Sequence, residues 1–270
     1  MKNPRTLAIL NALFFLLHLV PSQLTQLKLF NDQTIGDVSA KYPALFTPAG
    51  ITFSIWGLIY LALIAFCIYH LIKAFKEEDT HEANTDLQRI GYLFMVNNLA
   101  TGFWTIAWVN EWLVVSVVLI LLQLITLLAI QFRLGIFDKT RSLASRWFTQ
   151  VPLSLYFGWI IIATVANISS ALLGLGWDGF GLLDGLWTTI MILAATLIVV
   201  FVVFTRSNPW VGLVGMWALY GIILKHSAIN VEESTQIITT TWFCLAIVGL
   251  AVIVAFFRNQ SSNKQALSVR

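Results

Sequence analysis

The chain has 270 residues, 58% of them hydrophobic and only 11% charged, with a formal net charge of +3. A soluble domain carries roughly 25% charged residues and about 45–50% apolar ones. Intrinsic disorder, a coiled coil and a nucleic-acid-binding surface are therefore excluded, the last because so small a positive excess leaves no basic footprint. The apolar runs are continuous rather than alternating, which points to an all-α integral membrane protein partnered by the lipid bilayer and not to a membrane barrel.

A hydrocarbon core about 30 Å thick takes about 20 residues of helix. In chain order the runs predict eight transmembrane helices: Thr6–Leu24, Ile51–Ile72, Ile90–Val109, Leu113–Phe132, Phe148–Leu173, Leu186–Phe204, Trp210–Leu224 and Ile237–Phe257. The first follows Lys2 and Arg5 and shares the shape of a signal peptide. Val20-Pro21-Ser22-Gln23 offers no small-residue cleavage site, so it reads as a retained span. The seventh is short. With eight spans, every lysine and arginine except Lys28, Lys41 and Lys225 falls on the side of the two termini. The positive-inside rule places that side in the cytoplasm. A multi-pass protein of a bacterial inner (plasma) membrane is the expectation, because no presequence rich in arginine and serine is present.

Between spans, Lys73–Arg89 carries charges of both signs and reads as a solvated connector. Gln23–Ala49, with Pro43 and Pro48, is the longest loop on the opposite side. Cys67 and Cys244 lie inside apolar runs and read as packing residues, not as a disulfide or metal site.

No aspartate, glutamate, lysine or arginine falls within the apolar core of a predicted span. Proton relays, ion coupling and voltage sensing need such groups, so a pump or an ion channel is disfavoured. His18 stands alone in the first span, and His70, His81 and His226 have no metal-ligand spacing. Neutral polar groups cluster instead on three consecutive spans: Asn97, Asn98, Thr101 and Thr105; Gln123 and Thr126; Gln150, Ser154, Tyr156, Asn167 and Ser169. Interhelical hydrogen bonding explains one or two of these more readily than the whole set.

Tryptophan occurs eleven times. Trp112, Trp147, Trp177 and Trp210 lie near span ends and fit the interfacial belt. Trp56, Trp104, Trp108 and Trp159 lie at or near the spans with the amides, and Trp104 and Trp108, at i and i+4, share one helix face. Indole faces beside a few amides suit a flat hydrophobic small molecule, since stacking supplies area and the amides fix orientation. Packing of the bundle is the competing reading.

Two stretches carry a resemblance. Phe46-Thr47-Pro48-Ala49-Gly50-Ile51-Thr52-Phe53-Ser54-Ile55-Trp56-Gly57-Leu58-Ile59-Tyr60 and Trp159-Ile160-Ile161-Ile162-Ala163-Thr164-Val165-Ala166-Asn167 resemble, in order and spacing, the second and fifth helices of the TspO/MBR family of tryptophan-rich sensory proteins, which includes the mitochondrial translocator protein. The third-helix asparagine of that family is matched by Asn97 or Asn98. The resemblance implies a five-helix membrane bundle over residues 1–174, followed by three additional helices and a tail over 175–270. It implies a porphyrin, haem-type tetrapyrrole or sterol-like ligand and a role in sensing or transport. Phe53, Trp56 and Tyr60 would form one wall of the pocket, Asn98 a second, and Trp159, Ala163 and Asn167 a third. Trp104, Trp108 and Tyr156 join them from the aromatic pattern, and Gln23–Ala49 would be the lid.

Two further classes remain open. An integral-membrane enzyme acting on a lipid or isoprenoid would draw its acid or base from Glu111, Asp178, Asp184, Glu232 or Glu233. A scaffold subunit or homo-oligomer would use the last three helices, from Leu186 onward, as its contact surface.

Overall fold

The computed structural model describes residues 3–136, 141–229 and 233–268, with side chains as far as residue 259. Among these residues there is no strand. The chain runs α1 (Pro4–Gln26), α2 (Ile35–Lys41), a 3-10 turn Gly50–Ser54 leading into α3 (Ile55–Lys76), α4 (Glu82–Ile90), α5 (Leu93–Val109) and α6 (Leu113–Leu134). It continues with α7 (Leu143–Ser145), a π turn Arg146–Gln150 entering α8 (Val151–Gly174), a 3-10 turn Gly179–Gly181, α9 (Asp184–Arg206), α10 (Pro209–Ala228) and α11 (Ser234–Ser268). Seven helices are long and apolar enough to cross a membrane, and α5, with 17 residues, is a shorter apolar one. The protein is a multi-pass, all-helical membrane protein.

Local chemistry sets several boundaries. Asn3 caps α1 by accepting from the Arg5 N–H at 2.9 Å, with Pro4 in the first position where its missing N–H is harmless. Gly135, at φ 58°, stops α6 in the left-handed conformation usual past a helix end. Gly91, also at φ 58°, separates α4 from α5, so the expected unbroken span Ile90–Val109 starts at Leu93 instead. Asn208 and Pro209 open α10, which extends beyond Leu224 and takes Lys225 and His226 into its last turn.

Helix faces divide by what surrounds them. Leu13, Leu17, Leu61, Ile68, Ile125, Leu197, Phe201, Leu250 and Phe257 are exposed, as suits helices solvated by acyl chains. In α8, by contrast, every residue from Val151 to Ile162 is buried. A helix apolar all round belongs at the centre of a bundle. There α8 packs against α3, α6, α9 and α10. Small residues let the backbones approach: a Cβ at Gly158 would stand 3.1 Å from Val211, and one at Gly212 would stand 2.3 Å from Val252. Of the last three helices, α9 and α10 pack onto α8, and α11 packs onto α9 and α10.

At the end near the start of the chain, the segment 73–89 differs from expectation. It holds α4, whose Ala83, Asn84, Asp86, Leu87 and Ile90 are buried, with the apolar ones at the spacing of one helix face. The Arg141 guanidinium lies 2.9 Å from Asp86 and 3.5 Å from Glu82, and Ser145 Oγ donates to Asp86 at 3.2 Å. Burial raises the Asp86 carboxyl from 3.8 to about 6, with Arg141 opposing the shift. A carboxyl whose folded value exceeds its unfolded one contributes stability below the unfolded value and loses it as pH rises through the folded one. Thermal unfolding between pH 4.5 and 7.5 is therefore expected to show wild type losing about 2 kcal/mol relative to Asp86→Asn. Parallel pH profiles for the two proteins would refute the assignment.

Candidate functional site: a tryptophan-lined cavity

At the other end of the bundle the loop between α1 and α3 covers a chamber of about 570 Å³. Its walls are Ser22, Gln23 and Gln26 of α1, the first turns of α2, Pro43 and Thr47–Gly50 of the loop, Phe53, Trp56, Tyr60, Thr101, Trp104, Thr105 and Lys225. A narrow apolar cleft of about 50 Å³ continues inward, and Ile35, Ser39, Thr47, Pro48, Phe53, Trp56 and Trp104 line both spaces. Small-molecule sites typically hold about 300–1,000 Å³.

Most of the residues singled out in the sequence meet here. Phe53, Trp56 and Trp104 line both spaces, Tyr60 the chamber, and Trp108, Trp159, Ala163 and Asn167 the cleft. Asn98 and Tyr156 are not on these walls. Asn98 donates to Phe94 O of its own helix at 2.7 Å and borders a separate crevice with His18 and Gly102. Tyr156 stands behind Trp56, with ring centroids 5.9 Å apart, and its hydroxyl pairs with Thr101 Oγ1 at 2.7 Å. The polar cluster likewise divides. Asn97 ties α5 to α6 through Gln123 O at 3.0 Å and Thr126 Oγ1 at 2.9 Å, and Ser154 receives Asn208 at 2.9 Å. Those two are structural.

The aromatic rings meet edge to face. Trp159 lies 5.7 Å from Phe53 at 82° and 6.2 Å from Trp56 at 80°. Trp104 and Trp108, sharing a face of α5, stack at 5.9 Å and 10°. Two of the four cleft indoles are engaged within the protein: Trp104 Nε1 donates to Asn167 Oδ1 and Trp108 Nε1 to Ile35 O, both at 3.2 Å. Asn167 in turn donates to Ser116 Oγ at 3.1 Å, which fixes its amide. Trp159 Nε1 is buried and has no partner among the described residues. A buried donor left unpaired costs about 1–3 kcal/mol.

The covering loop is fastened on two sides. Glu111, in the α5–α6 turn, adopts φ 58°, a left-handed conformation costly for a side chain with a Cβ. Its carboxylate accepts from Lys41 Nζ at 2.6 Å and from the Tyr42 hydroxyl, while Asn31 donates to Val109 O at 2.7 Å. The Lys41 ammonium, and next the Tyr42 hydroxyl, hold this carboxyl below its ordinary value. It is thereby an anchor for the loop and a poor proton donor. On the far side α10 grips the same loop: Ala49 N–H donates to Gly221 O at 2.9 Å, Trp217 Nε1 to Thr52 O at 2.9 Å, Lys225 Nζ to Ala44 O at 2.8 Å, and His226 Nε2 to Leu45 O at 2.9 Å.

The other acidic candidates lie apart from the cavity. Asp178 accepts from Phe180 N–H at 3.1 Å, Asp184 borders a crevice with Trp177 and Trp187, and Glu233 packs against Gly185. Glu232 is outside the described residues. No group of three potential metal ligands occurs among the described residues. Sequence reasoning gave Gln23–Ala49 as a lid without singling out its rim residues Gln26 and Ser39, and missed Ser22 and, above all, Lys225 from α10. Nothing local marks these positions, because they meet only when the loop folds across the helix ends.

Neither a curated protein nor a solved structure matches the chain. The family described as TSPO-like protein matches residues 8–254, a stretch that takes in the long helices from α1 to most of α11. By that match, and in keeping with its bundle of apolar helices, the chain belongs to the TSPO-like protein family.

Proposed function

We propose that the protein binds a flat hydrophobic ligand of the porphyrin, haem-type tetrapyrrole or sterol class inside the membrane, as the binding step of sensing or transport. The observation that carries this reading is the Trp159 indole N–H, buried without a partner among the described residues, in a cleft where the Trp104 and Trp108 indoles are already hydrogen-bonded. Stacking on Trp56 and Trp104 would supply contact area, and Trp159 would orient the ligand through one acceptor atom. Residues 1–174 supply the aromatic walls and α10 supports the loop that covers them. The clustering of basic residues favours cytoplasmic termini, and an inner (plasma) membrane of a bacterium is the proposed location.

The test is tryptophan-fluorescence quenching by protoporphyrin IX with the protein in nanodiscs. Saturable quenching at micromolar ligand is expected, and Trp159→Phe should weaken it about tenfold through the lost hydrogen bond. Trp56→Phe/Trp159→Phe should weaken it further. A double variant with wild-type affinity would sink the proposed site.

A further inference from the structure

α10 brings one charged side chain to the cavity. Among the described residues lining the chamber and the cleft there is no aspartate, glutamate, arginine or histidine, and Lys225 is the sole cation. Its ammonium is half-buried in the last turn of a membrane-crossing helix and carries three donors. One of them goes to Ala44 O at 2.8 Å. The other lysines at this end have counter-ions, Lys28 with Asp37 at 3.1 Å and Lys41 with Glu111 at 2.6 Å. Lys225 has no carboxylate within ion-pair distance among the described residues.

An ammonium withdrawn from water without a counter-ion is unfavourable, and in a membrane-crossing segment it marks a functional position. The same chamber presents the Gln23 and Gln26 amides and the Ser39 hydroxyl, whereas the cleft beyond Trp56 and Trp104 is apolar. The cavity is therefore polar and cationic at its mouth, aromatic at its base. A molecule complementary to both ends has an apolar ring body and an anionic group. Lysine suits this task as a point charge with donors that rotate to meet a carboxylate.

We propose that Lys225 is the anion anchor of the cavity, and that its ligand class is an apolar ring compound bearing a carboxylate rather than a neutral sterol-like molecule. This rests on the cavity being the ligand site. It adds a contact from outside the five-helix unit that carries the aromatic motifs.

The experiment compares each acid with its ester in nanodiscs of zwitterionic phosphatidylcholine, which supplies no net anionic headgroup. Two pairs are titrated by tryptophan quenching: protoporphyrin IX against its dimethyl ester, and 1-pyrenebutyric acid against its methyl ester. Wild type is expected to bind each acid about tenfold more tightly than its ester. Lys225→Met should abolish the preference, so that each acid binds no more tightly than its ester, and Lys225→Arg should retain it. Acid and ester binding alike in wild type would overturn the anchor while leaving the cavity intact, and this comparison needs no variant to fold. An acid preference that survives Lys225→Met would also overturn it, by placing the cation elsewhere. If pyrenebutyrate shows the Lys225-dependent preference and neither porphyrin binds, the anchor stands and the tetrapyrrole reading falls. Binding of none of the four probes would remove both.

Discussion

Gly221→Leu is expected to lower stability by about 2–3 kcal/mol and to weaken ligand binding at least tenfold. A Cβ at this position would stand 2.0 Å from Thr52 Oγ1, 2.8 Å from Thr52 Cγ2 and 2.9 Å from Pro48 Cβ. Thr52 and Pro48 are both buried, and Thr52, whose Oγ1 is the nearest obstacle, does not border the cavity. The loop and α10 must separate. With them go the bonds from Ala49 N–H to Gly221 O and from Trp217 Nε1 to Thr52 O, and the cavity loses the fixed position of Pro48 and Phe53. Gly57→Ala is the matched control, because a Cβ there meets nothing within 4 Å although it adjoins Trp56. It should change stability by less than about 0.5 kcal/mol. Thermal unfolding and porphyrin quenching on the same preparations read both effects. Wild-type affinity in Gly221→Leu would mean that α10 does not hold the cavity wall.

The second large effect is expected at Trp159, which is 2% exposed and the largest fully buried side chain of α8. Trp159→Ala should cost about 3–5 kcal/mol, the usual range for truncating a buried indole. The central position of α8 makes collapse of the surrounding helices difficult, so most of the lost volume stays as cavity. Trp159→Phe helps separate two contributions: it keeps an aromatic ring against Phe53 and Trp56 while removing the N–H and the smaller part of the indole's volume. Stability is expected to fall by far less in the phenylalanine variant, whereas porphyrin affinity should fall in both. Equal stability of wild type and Trp159→Ala would show that the indole is not packed as its neighbours place it. Equal affinity of wild type and Trp159→Phe would remove the role given to the N–H.

How far the sequence could be read depended on which solvent each element faces. Helices bordering lipid need long apolar runs, so the seven long helices and the shorter α5 stood out, and the expected span in α10 was short because the helix's last turn holds Lys225 and His226. Amphipathic α4 was hidden: nine residues with Glu82, Asp86 and Arg89 read as polar, although Ala83, Leu87 and Ile90 are buried. The aromatic walls were legible because Trp56 with Tyr60, and Trp104 with Trp108, lie at helical spacings that put each pair on one face. Asn98 was misplaced for the same geometric reason. It stands six residues before Trp104, about 120° away around the helix, and so faces α1 near His18. Tyr156 was drawn in by chemistry alone, its hydroxyl being satisfied by Thr101 in the second layer. Lys225 could be counted as a charge but not placed, since its neighbours in the cavity come from residues far away in the chain.

The brevity of α5 has a consequence for the surrounding bilayer. Seventeen residues rise about 25 Å, against about 30 Å of hydrocarbon. Val96, Leu99 and Phe103 on its outer face are exposed, so lipid meets this short helix directly. Tilting would shorten its reach further. A bilayer of ordinary thickness would have to thin along this flank to match it, at fractions of a kcal/mol per Å. The turn that bears Glu111 closes the end of this short helix. Membrane thickness thus bears on the same corner where the loop is pinned.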